Sequence, residues 1–193
     1  VKTWGAIHQK SVKSTSVNSA LYVLYNVLGK RRGEVNAMEK LIITACICGA
    51  EVTKEHNPAV PYTVEEIAKE AKSAYDAGAS IIHLHVREDD GTPTQSKERF
   101  EACINAIKEV CPDVIIQPST GGAVGMSNEE RLAPTTLRPE MATLDCGTCN
   151  FGGDEIFVNT ENMIIDFANT MNEYGIKPEI EVFDKGMVDM AIR

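Results

Sequence analysis

Apolar residues along the chain follow two spacings, and each spacing predicts one kind of element. Continuous apolar runs rich in β-branched residues predict buried strands at 40–49, 80–86, 113–122, 140–147 and 177–184. Between these runs the apolar residues recur every three or four positions, which predicts amphipathic helices at 61–79, 96–112, 127–134, 159–175 and 185–193. Strand and helix therefore alternate five times.

The predicted helices also carry signals for where they begin and end. Thr63 followed by Glu66 forms a capping box at the start of the first helix, and Gly78 is placed to stop it. Pro112 ends the second helix, and Gly175 ends the helix that begins near 159. These signals support the alternation that the apolar spacing predicts.

Buried parallel strands joined by helices fit either a doubly wound sheet or a (β/α)8 barrel. No G-x-G-x-x-G follows the first strand, which removes the main support for a dinucleotide fold. A complete barrel takes about 250 residues, whereas five βα units are found here. We therefore interpret residues 38–193 as the N-terminal portion of an α/β TIM-barrel catalytic domain, truncated after about five βα units.

The first 37 residues differ in character from the rest of the chain. Residues 1–33 contain basic residues and no acidic one, although the whole chain has a net charge of −9. The sequence before Met38 could be encoded by a purine-rich ribosome-binding site translated in frame. We expect residues 1–37 to be a non-native or disordered leader and Met38 to be the true start; an organellar transit peptide is the alternative.

Composition excludes several classes of protein. The net charge of −9 argues against a nucleic-acid-binding surface, which needs a basic footprint. No apolar run approaches the ~20 residues of a membrane span. The six cysteines are too dilute for a disulfide scaffold, and most lie in apolar runs, so a reduced, cytoplasmic protein is expected.

Two of the four histidines, His83 and His85, lie two apart in one predicted strand. Side chains two apart on a strand share a face, so both imidazoles face one way while Leu84 and Val86 face the other. Apolar Leu84 and Val86 suit the helix side, which directs the imidazoles to the barrel interior, near the strand end where barrel sites form. The pair suits a zinc ion; two hydrogen-bonded core histidines are the alternative.

Every other predicted strand also delivers a polar group at or near its C-terminal end. These groups are Glu51, Ser119, Thr120, Thr143, Asp145, Glu179 and Glu181. The "STGG" of residues 119–122 fits a carboxylate or oxyanion, or alternatively forms a tight turn. Cys46-x-Cys48 and Cys146-x-x-Cys149 could form a four-thiolate zinc site, but thiols inside a strand favour packing.

Three long motifs, "AGASIIHLHVREDDGTPTQ", "IIQPSTGGAVGMSNEERLAP" and "RPEMATLDCGTCNFGG", resemble the β-keto acid cleavage enzymes. The resemblance implies a homotetrameric (β/α)8 barrel with zinc held by His83, His85 and a late-strand glutamate. It implies condensation of a β-keto acid with acetyl-CoA to acetoacetate and a new acyl-CoA. The expected keto acid is 3-keto-5-aminohexanoate, an intermediate of lysine fermentation, which would give 3-aminobutyryl-CoA.

The same resemblance implies roles for individual residues. The catalytic residues would be Glu51, Ser119, Thr143 and Glu181. The substrate-binding residues would be Ser119, Thr120, Gly121, Gly122 and Asp145, the last standing where close members carry Asn. An anionic Glu51 would suit the amino group of an amino-keto acid.

The resemblance also places the third zinc ligand and an Arg/Asp proton-transfer pair beyond Arg193, so we expect the chain as given to lack cleavage activity. Two alternatives stay open at this point. One is a metal-dependent hydrolase of the amidohydrolase type, which also uses H-x-H on a barrel strand. The other is an inert product or an interaction fragment.

Overall fold

The computed structural model describes residues 21–23 and 41–193, with side chains from residue 41 onward. The predicted leader of residues 1–37 and the predicted start at Met38 lie outside the described residues, apart from a three-residue strand, β1 (Leu21–Val23). β1 pairs antiparallel with β2 (Ile43–Cys48).

The described residues after β2 form an alternating series of helices and strands. In chain order they are α1 (Val64–Asp76), β3 (Ile81–Leu84), β4 (Val86–Arg87), β5 (Pro93–Thr94), α2 (Lys97–Val110), β6 (Ile115–Pro118), α3 (Asn128–Leu132), a 3-10 helix (Ala133–Leu137), β7 (Met141–Asp145), β8 (Cys149–Gly152), β9 (Glu155–Phe157), α4 (Glu161–Tyr174), β10 (Lys177–Glu181) and α5 (Lys185–Ile192). The five predicted strands and five predicted helices are all present, so the α/β class is confirmed.

Five parallel strands lie side by side in the order in which they occur along the chain. β3 pairs in parallel with β2 on one side and with β6 on the other, and β10 pairs in parallel with β7. β6 and β7 lie next to each other without a shared ladder. Consecutive parallel strands with intervening helices are the arrangement of a barrel wall. Its closure into eight strands stays a prediction.

The helix ends form as the sequence predicts. The Thr63 hydroxyl accepts from the Glu66 N–H at 3.2 Å, and the Glu66 carboxylate accepts from the Thr63 N–H at 3.3 Å. α4 ends at Gly175, whose φ of +72° lies in the left-handed region that glycine tolerates best. Both ends are therefore fixed by local chemistry.

The core lies between the helices and the outer face of the strands. Ile67, Ile82, Leu84 and Phe100 are fully buried in a cluster formed by α1, α2 and the first three parallel strands. A second cluster packs α4 against β7 and includes Ala142, Phe167 and Met171. Fully burying one such large side chain contributes about 1.5–3 kcal/mol. None of the described helices is long and apolar enough to cross a membrane.

Two features differ from the sequence prediction. The strand predicted at 80–86 is wrong in length, because the ladder stops at Leu84 and Val86–Arg87 pairs instead with β5 in a hairpin. A second hairpin, β8–β9, was not predicted. Gly152 at the end of β8 and Gly153 in the turn both have a positive φ, which permits a tight reversal between two short strands.

Candidate active site

The C-terminal ends of the five parallel strands surround a cavity of about 130 Å³. Its wall combines residues that follow or end each strand with aromatic residues from the loops. They are Glu51, His83, His85, Ser119, Gly121, Gly122, Val124, Asp145, Phe151, Phe157, Glu181 and Phe183. Most of the residues that the sequence analysis singled out are thus brought to one place.

His83 and His85 lie together on the cavity wall. Their ring centroids are 5.1 Å apart and the rings are tilted by 64°. Burial lowers the pKa of both imidazoles, and in His85 the neighbouring His83 and Arg87 lower it further, to about 3. Both rings are therefore neutral near pH 7. In this state an imidazole nitrogen has a lone pair that can bind a metal ion.

A polar chain behind His83 fixes the orientation of its ring. His83 Nδ1 lies 3.0 Å from Gln117 Oε1, and Gln117 Nε2 donates to Glu179 Oε2 at 2.8 Å. Because the Glu179 carboxylate can only accept a hydrogen bond, the amide NH2 of Gln117 must face it, and the amide oxygen of Gln117 faces His83. Nδ1 of His83 therefore carries the proton and donates to that oxygen. Nε2 of His83 is left with a free lone pair. The sequence analysis missed Gln117, which is fully buried.

Asp145 and Glu181 lie opposite each other on β7 and β10. Burial raises the pKa of Glu181 to about 9, and the nearby charges of Asp145 and Glu179 add to the effect. Asp145 is itself buried, and its Oδ2 has no hydrogen-bond partner among the described residues. Arg131 Nη2 lies 3.8 Å from that oxygen. Near pH 7 the pair therefore consists of a protonated Glu181 beside Asp145.

The turn after β6 brings its backbone close to the cavity. Ser119 Oγ accepts from the Gly121 N–H at 3.1 Å. A Cβ at Gly121 would lie 3.2 Å from Ser119 Oγ and 3.7 Å from Asp145 Oδ2. Gly122 has a φ of +64°, and a Cβ there would lie 2.8 Å from Met126 Sδ. The positive φ at Gly122 and the close neighbouring side chains at both positions therefore call for glycine here.

Thr120 and Thr143 lie behind the cavity wall. Thr143 Oγ1 accepts from the Thr120 N–H at 3.0 Å, and Thr120 Oγ1 donates to the Thr143 carbonyl at 2.7 Å. Both residues are fully buried, and the two bonds join β6 to β7 where no ladder does. The structure thus gives both side chains a structural contact, and their predicted roles in catalysis and substrate binding stay predictions.

A buried arginine, which the sequence analysis also missed, connects the β6 turn to the β8–β9 hairpin. Arg131 Nε donates to the Thr120 carbonyl at 2.7 Å, Nη1 to the Val158 carbonyl at 3.1 Å, and Nη2 to Asn159 Oδ1 at 2.6 Å. Its guanidinium also stacks on Phe157 at 4.8 Å. Since Phe157 lines the cavity, Arg131 holds the aromatic side of the wall in place.

Glu51 lines the cavity from the loop that follows β2. Partial removal from water raises the pKa of its carboxyl, while the charge of the nearby Arg87 acts in the opposite direction. The residue is otherwise exposed, so a ligand can reach its carboxylate from the open side of the cavity.

The donor set fits zinc in part. Two neutral, adjacent imidazoles are typical zinc ligands. Within residues 41–193, however, no three His, Cys, Asp or Glu side chains are arranged to hold a metal ion. His83 and His85 are therefore two candidate ligands without a third among the described side chains.

Comparison with known proteins identifies the class to which this arrangement belongs. Residues 40–193 match the model of the beta-keto acid cleavage enzyme family. This chain belongs to that family, as its motifs predicted. The match favours a cleavage enzyme over the amidohydrolase-type alternative, which shares only the H-x-H pattern.

Individual relatives narrow the comparison. The 3-keto-5-aminohexanoate cleavage enzyme of Acetoanaerobium sticklandii is 81% identical over 156 residues, which cover 81% of this chain and 57% of the relative. The protein of the same name from Fusobacterium nucleatum is 82% identical over the same shares. The 3-oxoadipate:acetyl-CoA acetyltransferase of Cupriavidus necator is 41% identical over 78% of this chain and 52% of the relative. The chain thus spans little more than half the length of these relatives.

Solved structures agree on the fold. Apo ObcA superposes with a TM-score of 0.62 at 24% identity, covering 69% of this chain and 32% of ObcA. The binary complex of ObcA with oxaloacetate gives a TM-score of 0.62 at 25% identity, covering 69% and 33%. The parallel strands and helices described here therefore recur in a longer protein.

Proposed function

We propose that the protein is a zinc-dependent enzyme that condenses 3-keto-5-aminohexanoate with acetyl-CoA. The bond between C2 and C3 of the keto acid breaks, and C2 forms a new bond to the acetyl carbonyl carbon. Acetoacetate leaves, and the remaining acyl group is taken up by the CoA sulfur as 3-aminobutyryl-CoA. The relatives named for this keto acid support the choice of substrate.

One observation carries the proposal. The ring centroids of His83 and His85 lie 5.1 Å apart on the wall of a cavity that Ser119, Glu51 and Asp145 also line. The two neutral imidazoles would hold the metal, with Nε2 of His83 as the free donor. When bound, zinc would supply a Lewis acid that polarises the keto group.

The remaining residues would bind and orient the substrate. Ser119 Oγ accepts from Gly121 N–H, which aims the hydroxyl proton away from the turn, and no acceptor for that proton is found among the described residues. This hydroxyl and the backbone of Gly121 and Gly122 would hold the substrate carboxylate. Glu51, on the open side, would pair with the substrate ammonium group.

Glu181 would act as a proton donor. Its pKa of about 9 keeps the carboxyl protonated near pH 7, so it can donate a hydrogen bond to a developing oxyanion. Thr143 would act indirectly, because its hydroxyl supports the turn that carries Ser119. Assembly of the whole protein into a homotetramer, and its location in the cytoplasm, are part of the same proposal.

A chimera tests this function. In the chimera, residues 38–193 of this chain replace the matching 156 residues of the Acetoanaerobium sticklandii relative, whose remaining sequence is kept. Acetoacetate is measured after the chimera is mixed with zinc, acetyl-CoA and 3-keto-5-aminohexanoate. We expect acetoacetate at a rate within about tenfold of the intact relative. His83→Ala should abolish both activity and stoichiometric zinc, whereas His56→Ala, in an exposed loop, should preserve both.

Two results would contradict the proposal. If the chimera folds and forms no acetoacetate while the relative does so in the same assay, the substrate or the reaction is wrong. If the His83→Ala chimera still binds one zinc per chain by elemental analysis, the ligand assignment is wrong.

A further inference from the structure

A buried arginine at the edge of the site, Arg87, has no acidic ion-pair partner within the part of the chain that the structure describes. Arg87 is 1% exposed, and no carboxylate among the described residues forms an ion pair with it. Burying a charge is costly unless hydrogen bonds compensate for it. The contacts that Arg87 does make therefore indicate what it is used for.

The Arg87 guanidinium donates four hydrogen bonds to backbone carbonyl groups. Nε donates to the Gly49 carbonyl at 3.0 Å, and Nη2 donates to the same carbonyl and to that of Val52 at 2.9 Å. Nη1 donates to the Gly91 carbonyl at 2.8 Å, in the turn of the β4–β5 hairpin. The rigid guanidinium thus joins the loop after β2 to this hairpin through four bonds.

The two loop carbonyls that Arg87 binds lie on either side of Glu51. Glu51 itself lines the cavity, and its carboxylate accepts hydrogen bonds from backbone N–H groups of Ala50 and Glu51 in the same loop. Its position therefore depends on the backbone at 49 and 52, which Arg87 fixes from behind. The ring of Tyr62 packs against the guanidinium at 5.4 Å and closes the other side.

We infer that Arg87 is a positioning residue: it holds residues 49–52 so that the Glu51 carboxylate faces the cavity, and it thereby sets the preference for a ligand with an ammonium group. The part about ligand preference rests on the proposed function. The part about the loop stands on the contacts alone.

Lysine cannot reproduce the forked contacts of the guanidinium, so Arg87→Lys separates geometry from charge. We expect amide hydrogen exchange in residues 49–54 to become at least about tenfold faster, with exchange in α2 unchanged. Arg99→Lys is the matched control: Arg99 is also largely buried and donates to the Tyr62 and Arg87 carbonyls, but not to the Gly49–Val52 loop. It should leave the loop exchange as in the wild type.

Ligand preference is measured with 3-keto-5-aminohexanoate and its analogue without the amino group, by calorimetric titration of the zinc-loaded chimera described above. We expect Arg87→Lys to weaken binding of the amino ligand by roughly tenfold and to leave the analogue unaffected, since one charge-assisted contact is lost. Glu51→Gln should give the same loss, and the double variant no further loss.

The outcomes separate the two parts of the inference. Unchanged exchange at 49–54 in a folded Arg87→Lys variant overturns the loop assignment, and equal weakening of both ligands overturns the role in preference. If the wild type does not prefer the amino ligand, the proposed substrate is wrong. The hydrogen-exchange result still decides whether Arg87 holds residues 49–52 in place. If the Arg87→Lys variant does not fold, Arg87→Gln is measured in the same way. If neither variant folds, Arg87 is needed for the whole fold, and the proposed role confined to the loop is overturned.

Discussion

Replacing Glu181 with Gln should change how the stability of the protein depends on pH. Folding raises the pKa of Glu181 from 4.5 to about 9, chiefly through burial and then through Asp145 and Glu179. Between these values the folded protein keeps a proton that the unfolded chain has released. The stabilisation is therefore complete below pH 4.5 and is lost as the pH rises toward 9.

The magnitude follows from the width of that window. Each pH unit within it lowers the free energy of unfolding by about 1.4 kcal/mol, so the loss between pH 5 and 8 is about 4 kcal/mol. Glutamine has no such proton to release and is close in shape to the protonated acid. His83 and His85 have lowered pKa values and act in the opposite direction below pH 6.5, but they do so equally in both proteins.

The assay is urea unfolding followed by circular dichroism at pH 5, 6, 7 and 8, with constant ionic strength and no added metal. The difference in unfolding free energy, Glu181→Gln minus wild type, should rise by about 4 kcal/mol from pH 5 to pH 8. Glu173→Gln, the same change on the exposed face of α4, should give a flat difference. A change of less than about 1 kcal/mol for Glu181→Gln would mean that this carboxyl is ionised in the folded protein, and the reasoning would fail.

Three further predictions concern the core, a helix cap and the thiols. Ile82→Ala should lower the free energy of unfolding by about 2–5 kcal/mol, because the side chain is fully buried and leaves a cavity; a loss below 1 kcal/mol in urea would contradict the packing described. Thr63→Ala should cost about 1 kcal/mol through loss of the α1 N-cap, and Thr63→Ser should restore most of it in the same measurement. Burial raises the pKa of Cys46 and Cys103 to about 11, so iodoacetamide at pH 8 should modify them at least about tenfold more slowly in the folded than in the urea-unfolded protein, as followed by mass spectrometry; equal rates would refute this.

Part of the site could be predicted because it depends on local sequence. The two-residue spacing of His83 and His85 predicts that both rings share a face. The structure has the ring centroids 5.1 Å apart on the cavity wall, although β3 ends at Leu84 and His85 directly follows it. Glu51, Ser119 and Asp145 were predicted to lie near strand ends, and all three line the same cavity. Parallel strands bring their C-terminal ends to one edge, so position along each strand was enough.

Other parts depended on which strands pair, and in which register. The acceptor for Gln117, the contact between Thr120 and Thr143, and the bonds of Arg131 to Val158 and Asn159 all join residues 23 or more positions apart. Patterns of neighbouring residues do not predict contacts between residues so far apart in the sequence. Nor does the sequence distinguish a buried arginine from an exposed one.

The sequence by itself therefore determined the order of the five parallel strands and the helices between them, the helix ends and the face on which the imidazoles lie, because these follow from the spacing of neighbouring residues. The tertiary structure alone decided that Asp145 meets Glu181 and that Arg87 reaches behind Glu51. The protonation of Glu181 and the orientation of Glu51 arise from burial and from contacts across strands, which exist only once the chain has folded.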